Sequence, residues 1–431
     1  MKNKTTKNND FTQISARRFI YDLCKQSIKS NLILKNSTSI RRNQAIIKIS
    51  QILIDETKKI LKANKDDLER AKNKNLSRAF IDRLALTPDR IYFMSKSLKE
   101  IAKLKDPIGL ELDRWKVPSG LDISKITTPI GIIGIIYESR PNVTTDSAGL
   151  CIKSGNTAIL RCGTDSLNTC IVLKKIIQLG LESANLPKNS IQLIDHPDRK
   201  IVTEMLKASK YIDVIVPRGG KSLVSKVQKE ARVPVFSHLD GNCHIYIDIE
   251  ANISKARKIC LNSKMRRVGI CGAAETILVN EKLEDEFLKK IIFDLKDAGC
   301  EIRGDRRIRK LGDFIISASE KDWYTEYLAP IISIREVKNI DEAIDHINKY
   351  GSSHTETIIT QNNKTAQKFL KYVDSAIVMH NSSTQFADGG EFGMGAEIGI
   401  ATGRLHARGP VGINQLVSHK YIVRGNGHIR K

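Results

Sequence analysis

The sequence has no run that approaches the roughly 20 consecutive apolar residues needed to cross a bilayer, although it is 431 residues long. Its polar, lysine-rich start, residues 1–13, is not followed by an apolar core and does not indicate a secretory signal peptide. Eight cysteines are present, but none forms a C-x-x-C pair and histidines do not flank them at zinc-site spacing. These absences predict a cytoplasmic protein with reduced cysteines, no disulfides and no metal site.

Acidic residues are scarce relative to basic ones. The 48 Asp and Glu residues are outnumbered by 71 Lys and Arg residues, which gives a net charge of +23. A protein with such a charge could bind nucleic acid, an anionic membrane or an acidic metabolite. Because the basic residues are spread along the chain and no aromatic-basic motif of an RNA-binding module occurs, a diffuse lysine bias or an anionic small-molecule substrate is favoured. Neither a nucleic-acid nor a membrane partner is expected.

Hydrophobic periodicity predicts the fold class. Residues 11–105 show apolar positions at three- and four-residue spacing, which is typical of successive helices. After about residue 129, β-branched runs alternate strictly with helical segments, first to about residue 254 and again from residue 255. This alternation predicts an α/β protein whose two doubly wound domains, each with a parallel sheet, follow N-terminal helices.

The same pattern predicts the domain boundaries. The first domain is expected over residues 1–114 and 129–254, and the second over 255–400, with 401–414 as a return segment. The remaining stretches, 115–128 and 415–431, read as strands that could pair outside their own domain.

Two features at strand ends of the first block could bind a dinucleotide, although no G-x-G-x-x-G motif follows the first strand. Gly219 and Gly220 precede a helix in "PRGGKS", where bare backbone N–H groups could face a phosphate. Arg161 ends a strand, at a position that suits a ribose 2′-phosphate. An ordinary turn and a surface arginine explain the same residues, so both interpretations stay open.

Cys271 is the strongest candidate for chemistry. It lies in "RRVGICGAAET", where small neighbours leave room for a substrate carbonyl and upstream basic residues favour the thiolate. A thiolate there could attack an aldehyde or acyl carbon. A cysteine in an apolar stretch is also commonly a structural thiol, and the local sequence does not decide between the two.

Several blocks of sequence, taken in order, carry a family resemblance that favours the nucleophile over the structural thiol. They are "PIGIIGIIYESRPNVTTDSAGLCIKSGNTAILR", "VPRGGKSLV", "HLDGNCHIYID", "GICGAAETILV", "EYLAPIISI", "DGGEFGMGAEIGIATGRLHARGPVG" and "YIVRGNGHIR". From the N-terminal helices to the tail, the chain resembles the aldehyde dehydrogenase superfamily, and within it the gamma-glutamyl phosphate reductase family. The resemblance implies an NADP-binding first domain, a catalytic second domain and oligomerisation strands at 115–128 and 415–431.

The resemblance also implies residue roles. Cys271 matches the nucleophile, and Asn142 matches the asparagine that donates to the oxyanion together with the backbone N–H of Cys271. His238 replaces the glutamate with which hydrolytic relatives activate water, which suits phosphate as the acyl acceptor. Gly272 stands where an asparagine is expected, and this departure should leave the backbone donor intact.

For the cofactor, the resemblance assigns Arg161 to the adenine-side ribose of NADP or NADPH. Gly219 and Gly220 match the turn near the pyrophosphate, and Glu326 matches the glutamate that holds the nicotinamide ribose.

Substrate phosphate and α-carboxylate require basic or polar partners. The predicted partners are Arg140, Arg267, His354 and Asn381, and further basic candidates are Lys264, Arg266 and Arg408.

The activity that the resemblance implies is NADPH-dependent reduction of L-glutamyl 5-phosphate to L-glutamate 5-semialdehyde and phosphate, through a cysteine thioester, in proline biosynthesis. A hydrolytic or acyl-CoA-forming oxidoreductase of the same superfamily is the alternative. A homo-oligomer is expected, and coupling to a glutamate 5-kinase is plausible because acyl phosphates are labile.

Overall fold

The computed structural model describes residues 12–430, apart from the side chain of Ala79, and divides into two compact units. Unit 1 comprises residues 12–236, 394–399 and 411–430, and unit 2 comprises 237–393 and 400–410. The predicted α/β class with N-terminal helices and parallel sheets is confirmed.

Unit 1 begins with five helices: α1 (Gln13–Leu34), α2 (Ser39–Asp55), α3 (Thr57–Asn73), α4 (Arg78–Leu84) and α5 (Pro88–Lys103). Hydroxyl side chains start four of them, because Thr12, Thr38, Ser77 and Thr87 each accept a hydrogen bond from a backbone N–H of the first turn. In α1, α2 and α5 the buried residues recur at helical spacing, so each of these three helices turns a mostly apolar stripe inward.

A four-stranded parallel sheet follows, built from β3 (Ile132–Tyr137), β4 (Thr157–Arg161), β5 (Ile191–Leu193) and β6 (Val214–Arg218). Its helices are α6 (Asn142–Lys153), α7 (Leu167–Ser183), α8 (Arg199–Lys207) and α9 (Lys221–Glu230). All six residues of β3 are buried. The strand order β5-β4-β3-β6 reverses between β3 and β6, and ligands bind beyond the carboxyl ends of strands at such a reversal.

Unit 1 also contains a three-stranded antiparallel sheet. Its strands are β1 (Glu111–Lys116), β2 (Asp122–Pro129) and the C-terminal β16 (Val417–Arg424), in the order β1-β2-β16. These strands overlap both stretches, 115–128 and 415–431, that the sequence predicts to pair outside their own domain.

Unit 2 is organised around a seven-stranded sheet in the order β10-β9-β11-β8-β7-β12-β13 with parallel pairing throughout. The strands are β7 (Cys243–Ile247), β8 (Ala274–Asn280), β9 (Glu301–Gly304), β10 (Ile316–Ser317), β11 (Ile331–Val337), β12 (Thr355–Ile359) and β13 (Ile377–His380). The helices are α10 (Ile253–Met265), α11 (Asp285–Asp297), α12 (Glu320–Trp323), α13 (Ile340–Tyr350) and α14 (Asn363–Tyr372), and a short pair, β14 (Ile400–Ala401) with β15 (Gly409–Pro410), closes the unit.

The boundary between the units differs from the predicted one at residues 254/255. Strand β7 hydrogen-bonds to β8 and β12, so it belongs to unit 2, and the chain passes between the units at residues 236/237 instead. Hydrophobic alternation shows that β7 is a strand, but it does not show which sheet the strand joins.

Two further observations concern the whole described chain. Within residues 12–430, no helix has both the length and the apolar character required to span a membrane. All eight cysteines are free thiols, and Cys271 is partly exposed whereas the other seven are buried.

Candidate active site

Cys271 lies at the amino edge of the unit 2 sheet. It sits in the segment 266–273, between the end of α10 and the start of β8. His354 directly precedes β12, and Cys243 is the first residue of β7. Because β7, β8 and β12 run parallel side by side, the residues at their starts meet at one edge.

Two histidines flank the Cys271 sulfur. One ring nitrogen of His238, one of His354 and the Sγ atom all lie within 4.8 Å of one another. The two imidazole rings meet edge to face, with their centroids 5.0 Å apart. Desolvation by itself raises the pKa of Cys271, but the nearby charges of His354 and His238 and the hydrogen bond of His238 outweigh it, so the pKa is well below its ordinary value.

Both histidines are anchored at Nδ1. In His238 this atom lies 2.7 Å from the backbone carbonyl oxygen of Ile400, which can only accept, so Nδ1 carries the hydrogen. In His354, Nδ1 lies 2.8 Å from the hydroxyl of Thr355. These contacts fix the orientation of each ring and leave Nε2 as the second nitrogen.

Cys243 is a neighbour of Cys271 that the sequence analysis did not single out. Its thiol donates to the backbone carbonyl oxygen of Cys271 at 3.1 Å and lies 3.6 Å from Nδ1 of His354. Burial raises the pKa of Cys243 well above its ordinary value. The pKa values of these two neighbouring thiols are therefore shifted in opposite directions. Cys243, as a neutral donor, supports the backbone of Cys271.

Glu326 reaches the same region through Gly241. The Glu326 Oε1 atom accepts a hydrogen bond from the backbone N–H of Gly241 at 2.9 Å. A Cβ added to Gly241 would lie 2.2 Å from the carbonyl oxygen of Cys271, so this backbone approach requires glycine. Burial raises the pKa of Glu326. Its predicted contact with the nicotinamide ribose remains a prediction.

Asn242 joins the segments that carry these groups. Its buried Nδ2 donates at 2.8 Å to the carbonyl oxygens of both Trp323 and Tyr350, and its backbone N–H donates to Ser352 at 2.9 Å. The loop with His238 and Gly241 is thereby tied to the residues before Glu326 and before His354.

Two of the predicted cofactor residues of unit 1 follow β6, at the point where the strand order reverses. Gly219 and Gly220 connect β6 to α9, and Gly220 N–H donates to Glu138 Oε2 at 2.9 Å. A Cβ on Gly219 would meet that same oxygen at 2.6 Å. The turn thus binds an anionic oxygen already, which fits a pyrophosphate that displaces the Glu138 carboxylate.

Arg161 has the environment of an anion-binding residue. Its guanidinium donates to the carbonyl oxygens of Cys162 and Pro197, while Nε is buried without a hydrogen-bond partner. Burial lowers the pKa of Arg161, and the charge of Arg199, at the start of α8, lowers it further. Two mutually repelling guanidinium groups beside an unused donor fit a 2′-phosphate. The sequence analysis missed Arg199, although its place at a helix start after a strand was a usable signal.

Asn142 is the first residue of α6 in unit 1, and its Nδ2 donates to Asp146 at 3.0 Å. Burial raises the pKa of Asp146 to about 6, against the opposing effect of that hydrogen bond. Asn142 and the partly buried Arg140, two residues before it, belong to unit 1. Their roles toward the substrate remain predictions.

The residues of unit 2 that are predicted to bind substrate lie at two different edges of its sheet. His354 lies beside Cys271, and the exposed Arg267 lies in the same segment. Asn381 follows β13 at the opposite, carboxyl edge, where its side chain bonds both backbone groups of Thr360. The five residues of β12 separate the two edges by roughly 16 Å. The structure therefore does not bring Asn381 together with Cys271.

Two of the further basic candidates form ion pairs within unit 2. Lys264 is buried and pairs with the buried Glu275. Arg408 pairs with Asp374 at 2.7 Å. Arg266 is exposed and lies 3.4 Å from the amide oxygen of Gln385. Lys264 in particular is a structural cation rather than a substrate ligand.

Comparisons with known proteins show the family to which the chain belongs. The profile of the aldehyde dehydrogenase family matches residues 41–301 and 316–402. A gamma-glutamyl phosphate reductase from Parvibaculum lavamentivorans is 52% identical over 399 residues, which cover 92% of this chain and 94% of the relative. The crystal structure of a gamma-glutamyl phosphate reductase from Thermotoga maritima superposes with a TM-score of 0.93 at 44% identity, covering 96% of this chain and all of that one. An acetylating aldehyde dehydrogenase from Geobacillus thermoglucosidasius, at 17% identity and a TM-score of 0.70 with 97% and 99% of the two chains covered, shares the fold.

Proposed function

Because the chain belongs to the aldehyde dehydrogenase family, and within it to the family of the gamma-glutamyl phosphate reductases, we propose that it reduces L-glutamyl 5-phosphate with NADPH. The products are L-glutamate 5-semialdehyde and phosphate, in proline biosynthesis. One observation carries the proposal: Cys271, a single partly exposed thiol, lies close to both His238 and His354.

The proposed chemistry begins at the Cys271 sulfur. Its thiolate attacks the acyl carbon, the bond from that carbon to the phosphate oxygen breaks, and a thioester forms as phosphate leaves. A bound NADPH supplies the hydride. The backbone N–H of Cys271 and the side chain of Asn142 are the proposed donors to the oxyanion, which collapses to the aldehyde as the carbon–sulfur bond breaks. The Cys243 thiol supports this step by holding the Cys271 carbonyl oxygen.

NADPH, rather than NADH, is proposed because of charge in unit 1. Arg161 and Arg199 supply two cations and the unpartnered Nε of Arg161, which suit the dianionic 2′-phosphate. Gly219, Gly220 and Glu326 keep their proposed roles toward the pyrophosphate and the nicotinamide ribose.

His238 supports phosphate, rather than water, as the acyl acceptor in the reverse direction. Its Nδ1–H is committed to the carbonyl oxygen of Ile400, and an imidazole in place of a glutamate removes the carboxylate base of the hydrolytic relatives. A hydrolytic or acyl-CoA-forming enzyme of the family is the alternative, and it would not require phosphate.

The decisive experiment follows NADP reduction with glutamate 5-semialdehyde as phosphate is varied. Wild type should require phosphate, and Cys271→Ala should lose activity by at least about 10³-fold while circular dichroism shows an intact fold. Cys300→Ser, which changes a buried thiol directly before β9, is the matched control and should stay active. Phosphate-independent turnover would favour the alternative, and an active Cys271→Ala would exclude the thioester.

Other expectations remain predictions: a cytoplasmic location, a homo-oligomer and coupling to a glutamate 5-kinase. The kinase coupling is consistent with a labile acyl phosphate as the substrate.

A further inference from the structure

Three electron-pair donors converge at the amino edge of the unit 2 sheet. The Cys271 sulfur and one ring nitrogen each from His238 and His354 lie within 4.8 Å of one another. All three belong to the same compact unit. A cation between these three groups would accept an electron pair from each of them.

The groups behind the two imidazoles are those that commonly orient metal-bound histidines. His238 donates its Nδ1–H to the Ile400 carbonyl oxygen at 2.7 Å, and Nδ1 of His354 lies 2.8 Å from the Thr355 hydroxyl. Hydrogen bonds of this kind hold the ring and leave Nε2 for the metal. In His354, which is fully buried, Nε2 has no hydrogen-bond partner. An unsatisfied buried nitrogen of this sort requires an explanation.

We propose that His238, Cys271 and His354 form a Zn²⁺ site that reversibly inhibits the enzyme. Nitrogen and thiolate ligands in tetrahedral geometry suit Zn²⁺, and three protein ligands leave the fourth position to water. Ligand atoms around tetrahedral zinc lie roughly 3.4–3.6 Å apart at ordinary bond lengths, so separations of up to 4.8 Å require side-chain movements of about 1 Å. On binding, the thiol releases its proton to solvent and no electrons are transferred. The sulfur lone pair is then held by the metal and cannot attack a substrate.

The sequence predicts no metal site, because the three ligands precede three different strands and have no characteristic spacing. Cys243, the nearest other thiol, is an unsuitable ligand, since its S–H donates to the Cys271 carbonyl oxygen.

The first test uses Co²⁺ as a spectroscopic substitute for Zn²⁺, in phosphate-free buffer with the full-length enzyme. Wild type should develop a thiolate-to-cobalt charge-transfer band that saturates at one Co²⁺ per chain, and Zn²⁺ should abolish it. Cys271→Ser should lack the band, whereas Cys243→Ser should retain it. A band that survives in Cys271→Ser, or that is lost in Cys243→Ser alone, would overturn the assignment of the ligands.

The second test measures alkylation of Cys271 by iodoacetamide, followed by peptide mass spectrometry, with and without Zn²⁺. Zn²⁺ should protect Cys271, and a chelator should restore its reactivity. In His238→Gln and His354→Gln, the Zn²⁺ concentration needed for protection should rise at least about tenfold. Equal protection in these variants would show that the histidines are not ligands.

Neither measurement requires turnover. An enzyme that binds Co²⁺ at Cys271 but fails to reduce L-glutamyl 5-phosphate would refute the proposed function alone. An active enzyme without the charge-transfer band would refute the metal site alone.

Discussion

At the scale of single residues, Gly241 shows how closely the backbone is packed around Cys271. An added Cβ would lie 2.2 Å from the Cys271 carbonyl oxygen and 2.6 Å from its Cα atom, and both are backbone atoms that cannot rotate away. Gly241→Ala must therefore shift the segment with Cys271 or the hydrogen bond to Glu326.

We expect Gly241→Ala to lower kcat/KM by at least about tenfold, since misplacement by 1 Å can reduce a rate up to about 10²-fold. Steady-state kinetics on the folded variant measures this. Gly403→Ala is the matched control, because a Cβ there meets no atom within 4 Å. Equal activity of the two variants would show that the contact at Gly241 does not position the thiol.

The second prediction at this scale concerns Arg161 and Arg199. If both contact the 2′-phosphate, Arg161→Glu and Arg199→Glu should each raise KM for NADPH by at least about tenfold, since hydrogen bonds between charged groups contribute about 1.5–3 kcal/mol. KM for NADH should change much less. Lys207→Glu, at the other end of α8, controls for the change in net charge. Equal losses with both cofactors would contradict the 2′-phosphate assignment.

Much of the residue-level chemistry can be predicted from the sequence, but the juxtapositions cannot. Small neighbours and upstream arginines already mark Cys271 as a candidate nucleophile. Its pairing with His238 and His354 depends on strands β7, β8 and β12 lying side by side. Asn381 illustrates the converse, because a strand end alone does not reveal which edge of the sheet carries the site.

At the scale of elements, a buried ion pair connects the two ends of the segment that carries Cys271. Lys264 lies in the last turn of α10 and Glu275 lies in β8, and both side chains are inaccessible to solvent. Glu275 also accepts from the backbone N–H of Leu328 at 3.3 Å, two residues beyond Glu326. Burial raises the pKa of Glu275 to about 7, and the charge of Lys264 opposes the rise.

Removing one partner of this ion pair should therefore lower the free energy of unfolding more than removing both. Lys264→Met leaves a buried carboxylate without its cation and should lower the free energy of unfolding by about 3–5 kcal/mol. Adding Glu275→Leu should recover most of that loss, because an apolar pair needs no compensating charge. Urea unfolding of the single and double variants forms the cycle. If the losses of unfolding free energy from the two substitutions are additive in the double variant, the two residues do not act as a pair.

Local sequence pattern is sufficient for the elements but not for their assembly. Helix starts at hydroxyl caps and the alternation of strands with helices follow from local physical chemistry, and both are present in the structure. Strand β7 joins the second sheet because of hydrogen bonds to β8 and β12, which are distant in sequence. A boundary drawn from periodicity therefore falls one strand late.

At the scale of the whole molecule, the three-stranded sheet of unit 1 has the features of an assembly surface. Among residues 12–430, β16 pairs with β2 along one side, and no strand pairs with its other side. An eight-residue edge with unpaired backbone groups is a template for another strand. Tyr421 and Val423 share one face of β16 and remain 56% and 54% exposed, so a second chain could bury both side chains.

The predicted homo-oligomer should therefore depend on β16. Tyr421→Lys combined with Val423→Lys places two charges on the exposed face of the strand, where burial against another chain would desolvate them. We expect size-exclusion chromatography with multi-angle light scattering to show an oligomer for the wild type and a shift toward monomer for this double variant. Leu179→Lys is the control, since it replaces a side chain of similar exposure, 52%, on helix α7. An unchanged mass in the β16 variant, with a shift in the control, would place the interface on the helical face instead.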